Sequence, residues 1–373
     1  MLHSLEAEGV NGRGNLDIRF NKDINIITGK NGSGKTTVLK LIWYLISANI
    51  ERIPQEMTFK RIKLEGDNFL IEIKGSGRNY EMRSTVYDKN VKFQCTLSDI
   101  KNESPQVREL NQNLGMVGAS IFFPTFRRIE GGFSLGDTRQ QNELEIRRGR
   151  YAGDLNDALE HLSARMSMFD HKFVCSISTS DVVNLLARRY ADISQTTNKA
   201  HTDLVKFIVD VVEKQTNPVK SGSKSAQKKN SADLLSNANK VFEQIKLQTL
   251  EFKQQQEFVL TPFQALSETM SKVIQDKGIK VNDNIILGNE FNRISSEFLS
   301  AGEKQIFSFL AYNAFYDEIP IFIDEPELSL HVDWQRSLIP MLLEQKTNNQ
   351  FFIAIHSPFI YSSTKIKRYF LAA

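Results

Sequence analysis

The chain has 373 residues, 40% of them hydrophobic, with 47 basic against 44 acidic side chains and a formal charge of +3. This near balance excludes binding to nucleic acid by bulk positive charge, and the apolar content excludes a disordered chain, since it suffices for a core. Two distant cysteines, Cys95 and Cys175, with no CxxC, no membrane-length apolar run and no leader, argue against zinc, a disulfide scaffold and a membrane span, and for the reducing cytoplasm.

Leu16–Phe20 alternates as a strand, and Ile24, Ile26 and Ile27 form a buried strand ending at Thr28 and Gly29. GKNGSGKT follows at Gly29–Thr36. Its glycines let the backbone curve so that successive N–H groups face an anion. A helix is expected next, with apolar residues at Val38, Leu41, Ile42 and Leu45, and phosphate is favoured at such a helix start. Asn31, Gly32, Ser33, Gly34, Lys35, Thr36 and Thr37 are therefore the candidate nucleotide-binding residues. Lys35 is expected to reach the β- and γ-phosphates and the Thr36 hydroxyl to bind Mg²⁺.

Strands are expected at Phe59–Leu64, Asn68–Lys74, Tyr80–Tyr87 and Val91–Leu97, with Gly75–Gly77 as a hairpin turn. Another strand is expected near Ser120–Pro124. The stretch Arg127–Arg150 carries six Arg against four acids and reads as a loop or flap, either a nucleic-acid contact or a solvated face.

Val183, Leu186, Tyr190, Ile193, Thr197, Ala200, Leu204, Phe207 and Val211 recur at spacings of three and four, as an a/d seam does. Leu234, Ala238, Val241, Ile245, Gln248, Phe252, Gln255 and Val259 form a second run. Between them, 217–230 is rich in Lys, Ser and Gly and contains Pro218, Lys220, Lys224, Lys228 and Lys229. This predicts an antiparallel coiled-coil hairpin with a basic tip, its first seam about 42 Å long. Two ordinary helices packed on the head remain the other reading, because Thr197, Gln248 and Gln255 weaken the seam.

LSAGEKQ at Leu299–Gln305 precedes an apolar helix (Ile306, Phe307, Phe309, Leu310). IFIDEPE at Ile321–Glu327 reads as a buried strand ending in Asp324, whose carboxylate can hold Mg²⁺ near Thr36, followed at once by Glu325. A last apolar strand, Phe351–Ile355, ends at His356 in an HSP sequence.

These motifs in this order resemble the ATP-binding-cassette ATPases, and within them the SMC/RecF/OLD branch. The Asn-Gly of the P-loop, the PELSLH segment after Glu325 and the long insertion between the two halves carry that resemblance. It implies an α/β fold: a P-loop ATPase head, mixed sheet plus antiparallel β lobe, with an inserted helical or short coiled-coil hairpin. It implies catalytic roles for Lys35, for Glu325 in polarising the attacking water, and for His356 as the switch histidine at the γ-phosphate. It also implies that Ser300, Gly302 and Glu303 complete the nucleotide site of a second head, so that two heads close around ATP and Mg²⁺. The Q-loop glutamine is missing; Arg127 or Arg128 stands in that region, unless it is a surface basic turn. His331 stands where transporters carry the D-loop Asp.

The expected organisation is a head built from 1–150 and 285–373, with 151–284 as the helical insertion. OLD nucleases continue into a nuclease domain after the switch His, whereas here 17 residues follow His356. The expectation is a homodimer or higher homo-oligomer, a regulatory ATPase controlling a separate nuclease or toxin in bacterial anti-phage defence, with DNA or RNA contact left open and no membrane. The alternative is a RecF-like DNA-binding ATPase of repair and recombination.

Overall fold

A computed structural model describes residues 1–125, 128–129, 158–177, 179–216, 231–273, 279–281, 285–289, 292–293, 299–361 and 368–371. Arg127, the hairpin tip 217–230 with its four lysines, and nearly all of Arg127–Arg150 lie outside these residues.

The chain folds as α/β. The six-stranded core sheet runs in the order His171–Phe173, Ser120–Phe123, Pro320–Asp324, Gln350–Ile355, Ile24–Gly29 and Arg368–Leu371, with every neighbouring pair parallel. A parallel sheet must be covered on both faces, which is why its strands are apolar runs without alternation. Phe122, Phe322 and Phe352 pack on one side, while Ile121, Phe123, Ile321, Ile323, Phe351 and Ile353 pack on the other.

On the first side lies the P-loop helix Lys35–Ile46, one turn longer at its start than the apolar periodicity alone marks. Beyond it is a second six-stranded sheet in the order Leu16–Arg19, Leu2–Glu8, Arg61–Gly66, Phe69–Ser76, Asn79–Val86 and Lys89–Thr96, antiparallel throughout. Packed between two sheets, the helix is apolar nearly all round, and Leu39, Leu41, Ile42, Trp43 and Leu45 are all buried. Gln350 fastens the lobes together: its Nε2 donates to Leu2 O at 2.9 Å and its Oε1 accepts from Leu2 N at 2.8 Å.

The second side of the core sheet is covered by the helices Ala301–Phe315 and Val332–Glu344 and by the base of the insertion. The insertion contains two long helices, Thr179–Thr216 and Ser231–Val273, of 38 and 43 residues. They run antiparallel: Tyr190 meets Phe263 with ring centres 6.0 Å apart, and His201 meets Phe252 at 5.9 Å. Ile193, Thr197, Ala200, Leu204, Phe207 and Val211 are half-buried among exposed neighbours. On the second helix Val241, Ile245, Phe252 and Val259 are half-buried, but Gln248 and Gln255 are exposed. Among the described residues no helix is long and apolar enough to cross a membrane.

Candidate nucleotide and metal site

The P-loop connects the end of strand Ile24–Gly29 to the helix beginning at Lys35. Gly32 and Gly34 have φ of 78° and 94°, values that favour glycine. Gly34 caps the helix without any side-chain hydrogen bond, so the first-turn N–H groups have no side-chain acceptor there. Among the described residues Ser33 Oγ is buried without a partner, and Thr37 lies half-buried in the first turn of the helix. An anion at this helix start suits both its free donors and its dipole. Asn31 is exposed at the crest.

Lys35 is 4% exposed and folds back, its Nζ donating to Gly29 O at 3.0 Å and Lys30 O at 3.1 Å. Burial pulls its pKa down, against the pull of the Glu325, Asp324 and Glu327 carboxylates. Thr36 Oγ1 donates to Asp324 Oδ1 at 3.1 Å, and Thr125 Oγ1 donates to Asp324 Oδ2. Asp324 is 1% exposed at the end of a central strand, between the ends of its two neighbours.

The chain turns sharply after Asp324. Glu325 takes φ 50°, a left-handed value uncommon outside glycine, while its N–H continues the ladder to Ala354 O at 2.9 Å. The turn sets the Glu325 carboxylate against the end of the adjacent strand, where Oε1 lies 3.0 Å from His356 Nε2. Glu327 Oε1 accepts the backbone N–H groups of His356 at 2.5 Å and Ser357 at 3.1 Å. Lys35, Thr36, Asp324, Glu325 and His356, which come from both ends of the chain, thus share one pocket-like junction of the sheet.

The residues of LSAGEKQ are placed differently. Ser300 caps helix Ala301–Phe315 in a capping box: Ser300 Oγ accepts from Glu303 N at 3.3 Å and Glu303 Oε2 accepts from Ser300 N at 2.7 Å. Among the described residues neither hydrogen-bonds the P-loop of its own chain. Gly302 is buried where a Cβ would lie 2.7 Å from Ser329 O and 2.9 Å from the Trp334 ring. Gln305 from the same motif donates to Pro326 O at 2.9 Å, joining the helix to the turn that carries Glu325. His331 is exposed and caps helix Val332–Glu344.

Three residues were not singled out from the sequence. Arg13 donates to Gly32 O, and its guanidinium occupies the space a Gly34 side chain would need. Thr125 stands beyond strand Ser120–Phe123, in the region searched for the Q-loop glutamine, and touches Asp324. Glu327 braces the His356 backbone. Arg13 and Thr125 lie in no local motif, but Glu327 is the last residue of IFIDEPE.

The residues present fit a magnesium nucleotide. A hydroxyl and a carboxylate are hard oxygen donors, and Mg²⁺ is commonly held by one or two protein oxygens with phosphate and water supplying the rest. Among the described residues no cluster of three His, Cys, Asp or Glu side chains forms a protein-only metal cage.

The profile of the AAA ATPase domain family matches residues 13–361. Endonuclease GajA of Bacillus cereus (strain VD045) is 44% identical over 54 residues, a stretch that is 14% of this chain and 9% of that protein. The solved Smc head domain with an extended coiled coil, bound to the C-terminal domain of ScpA and derived from Pyrococcus furiosus, is 15% identical with a TM-score of 0.40, covering 97% of this chain and 91% of that one. An SmcHead bound to the C-winged helix domain of ScpA is 13% identical with a TM-score of 0.42 and the same coverage.

Proposed function

The chain belongs to the AAA ATPase domain family, and from that premise we propose that it is a regulatory ATPase whose heads pair around Mg-ATP to control an effector in anti-phage defence. The observation that carries this reading is the convergence of Lys35, Thr36, Asp324, Glu325 and His356 at the C-terminal ends of three neighbouring interior strands of the core sheet.

Each residue has a task in this reading. Lys35 neutralises the β- and γ-phosphates in a site that excludes water from its ammonium. Thr36 and Asp324 hold Mg²⁺, which neutralises charge on the phosphates. Glu325 accepts a hydrogen bond from the attacking water and orients it toward the γ-phosphorus. His356 positions the Glu325 carboxylate and offers its imidazole to the γ-phosphate. Ser300, Gly302 and Glu303 present the N-terminus of their helix to the nucleotide of a second head. Among the described residues Ser300 and Glu303 hydrogen-bond each other and not their own P-loop, which is compatible with such a shared site.

The stretch shared with a protein named an endonuclease supports a nuclease as the class of effector. The test is protection of bacteria that express the chain with its neighbouring genes. Lys35→Ala and Glu325→Gln are each expected to abolish protection against phage in a plating assay. Full protection by both variants would contradict the proposal.

A further inference from the structure

A cavity of about 840 Å³ opens at the base of the helical hairpin. Its walls come from the edge strand His171–Phe173, the helix 158–166, the start of helix Thr179–Thr216 and the C-terminal end of helix Ala301–Phe315. None of Lys35, Thr36, Asp324, Glu325 or His356 lines it. Its volume lies within the range of small-molecule sites, about 300–1,000 Å³.

Half-buried cations and aromatic rings share one wall. Lys172 Nζ lies 5.4 Å and the Arg189 guanidinium carbon 5.0 Å from the centre of the Tyr316 ring. Tyr312 stacks on Tyr316 with centres 6.1 Å apart and planes at 16°. Arg188 adds a third, exposed cation. Among the described residues none of the three is in an ion pair. Glu160, Asp170 and Asp192 also line the cavity, but all three are exposed, so water and salt screen them more than the half-buried cations.

His171, also a lining residue, adds an unmet hydrogen-bonding demand. It is 1% exposed, and its Nδ1 lies 2.8 Å from Ser120 Oγ. That oxygen already accepts from Trp43 Nε1 at 3.1 Å, so the Ser120 hydroxyl proton is free to point at Nδ1. The neutral imidazole then carries its proton on Nε2, which has no partner among the described residues. A buried donor without an acceptor is rare and calls for one.

We propose that this cavity is a second, non-catalytic binding site for a nucleoside phosphate. The phosphate lies against Lys172, Arg188 and Arg189, and the base stacks on Phe169, a lining residue that is 59% exposed. The ligand can be a free nucleotide or the end of a single strand, since both present a base and a phosphate. Tyr312 and Tyr316 stand at the far end of the helix that Ser300 caps, so occupancy bears on the LSAGEKQ segment. That last link rests on the role proposed for Ser300; the binding itself does not.

The test uses the full chain carrying Lys35→Ala, which silences the P-loop. Adenosine 5′-monophosphate, inorganic phosphate and a ten-residue oligothymidylate are titrated separately by calorimetry. The monophosphate is expected to bind, and Arg189→Glu or Lys172→Glu to weaken it at least tenfold with an unchanged melting temperature. Binding of the oligonucleotide alone, lost in the same variants, assigns the site to a strand end. Inorganic phosphate binding as tightly as the nucleotide, binding insensitive to both variants, or no binding at millimolar ligand would overturn the proposal.

Discussion

His356 Nε2 lies 3.0 Å from Glu325 Oε1, across the gap between the ends of two adjacent parallel strands. The left-handed turn at Glu325 accompanies this approach, whereas an extended residue there would point its side chain out of one face of the sheet. In the proposed function this carboxylate orients the attacking water. Glu325→Gln keeps the size of the side chain but cannot take a proton. Hydrolysis is expected to fall about 100-fold or more, with ATP affinity within threefold of wild type. A phosphate-release assay beside a binding titration separates the two, and a fully active Glu325→Gln variant would remove Glu325 from the chemistry.

Lys35 donates to two backbone carbonyls, at 3.0 and 3.1 Å, and in the proposed function phosphate oxygens replace them. Charge-assisted contacts of this kind contribute about 1.5–3 kcal/mol. Lys35→Ala is therefore expected to weaken ATP binding at least tenfold and to abolish hydrolysis. Calorimetric titration is the check, and an unchanged dissociation constant contradicts the assignment.

Gly302 has no room for a methyl group, since a Cβ would meet Ser329 O at 2.7 Å and the Trp334 ring at 2.9 Å. Gly302→Ala is expected to push the signature helix off its neighbour and cost about 1–3 kcal/mol. The thermal midpoint should drop by several degrees while the far-ultraviolet circular dichroism keeps its shape. A midpoint equal to wild type would mean that the segment at Ser329 yields freely.

Burial holds the His171 imidazole neutral, with its pKa pushed down to about 4. In the unfolded chain the same group takes up its proton near pH 6.5, the usual value (about 6.5) for histidine. Above pH 6.5 both states are neutral and His171 costs nothing. As pH falls from 6.5 toward 4 the unfolded state is increasingly favoured, by up to roughly 3 kcal/mol. Urea midpoints at pH 7 and pH 5 should differ more in wild type than in His171→Gln. Equal pH dependence in the two proteins would show that His171 does not titrate with folding.

The P-loop, the acidic strand end and the histidine were legible because each is a short run whose chemistry depends on neighbours in sequence. The first hairpin seam was legible for the same reason, since Ile193, Leu204 and Phe207 repeat at helical spacing. Gln248 and Gln255 broke the second seam, and they are the positions left exposed. What the sequence hid is what folding brings together. Arg13 reaches Gly32 across 19 residues, and Thr125 reaches Asp324 across 199, so no window of sequence contains either contact. The cavity by Tyr316 was hidden too, because its edge strand, its helix ends and its cations are scattered over the chain.

In the proposed function the nucleotide site is shared between two heads, with Ser300 of one completing the site of the other. Light scattering of the Glu325→Gln protein, with and without saturating Mg-ATP, tests it most directly. A shift from the nucleotide-free mass to twice that mass is expected on adding Mg-ATP, and its loss when Ser300→Arg is introduced, because the longer side chain fills the space the γ-phosphate needs. A Glu325→Gln protein that binds ATP yet keeps the same mass, or a dimer indifferent to Ser300→Arg, would contradict the shared site.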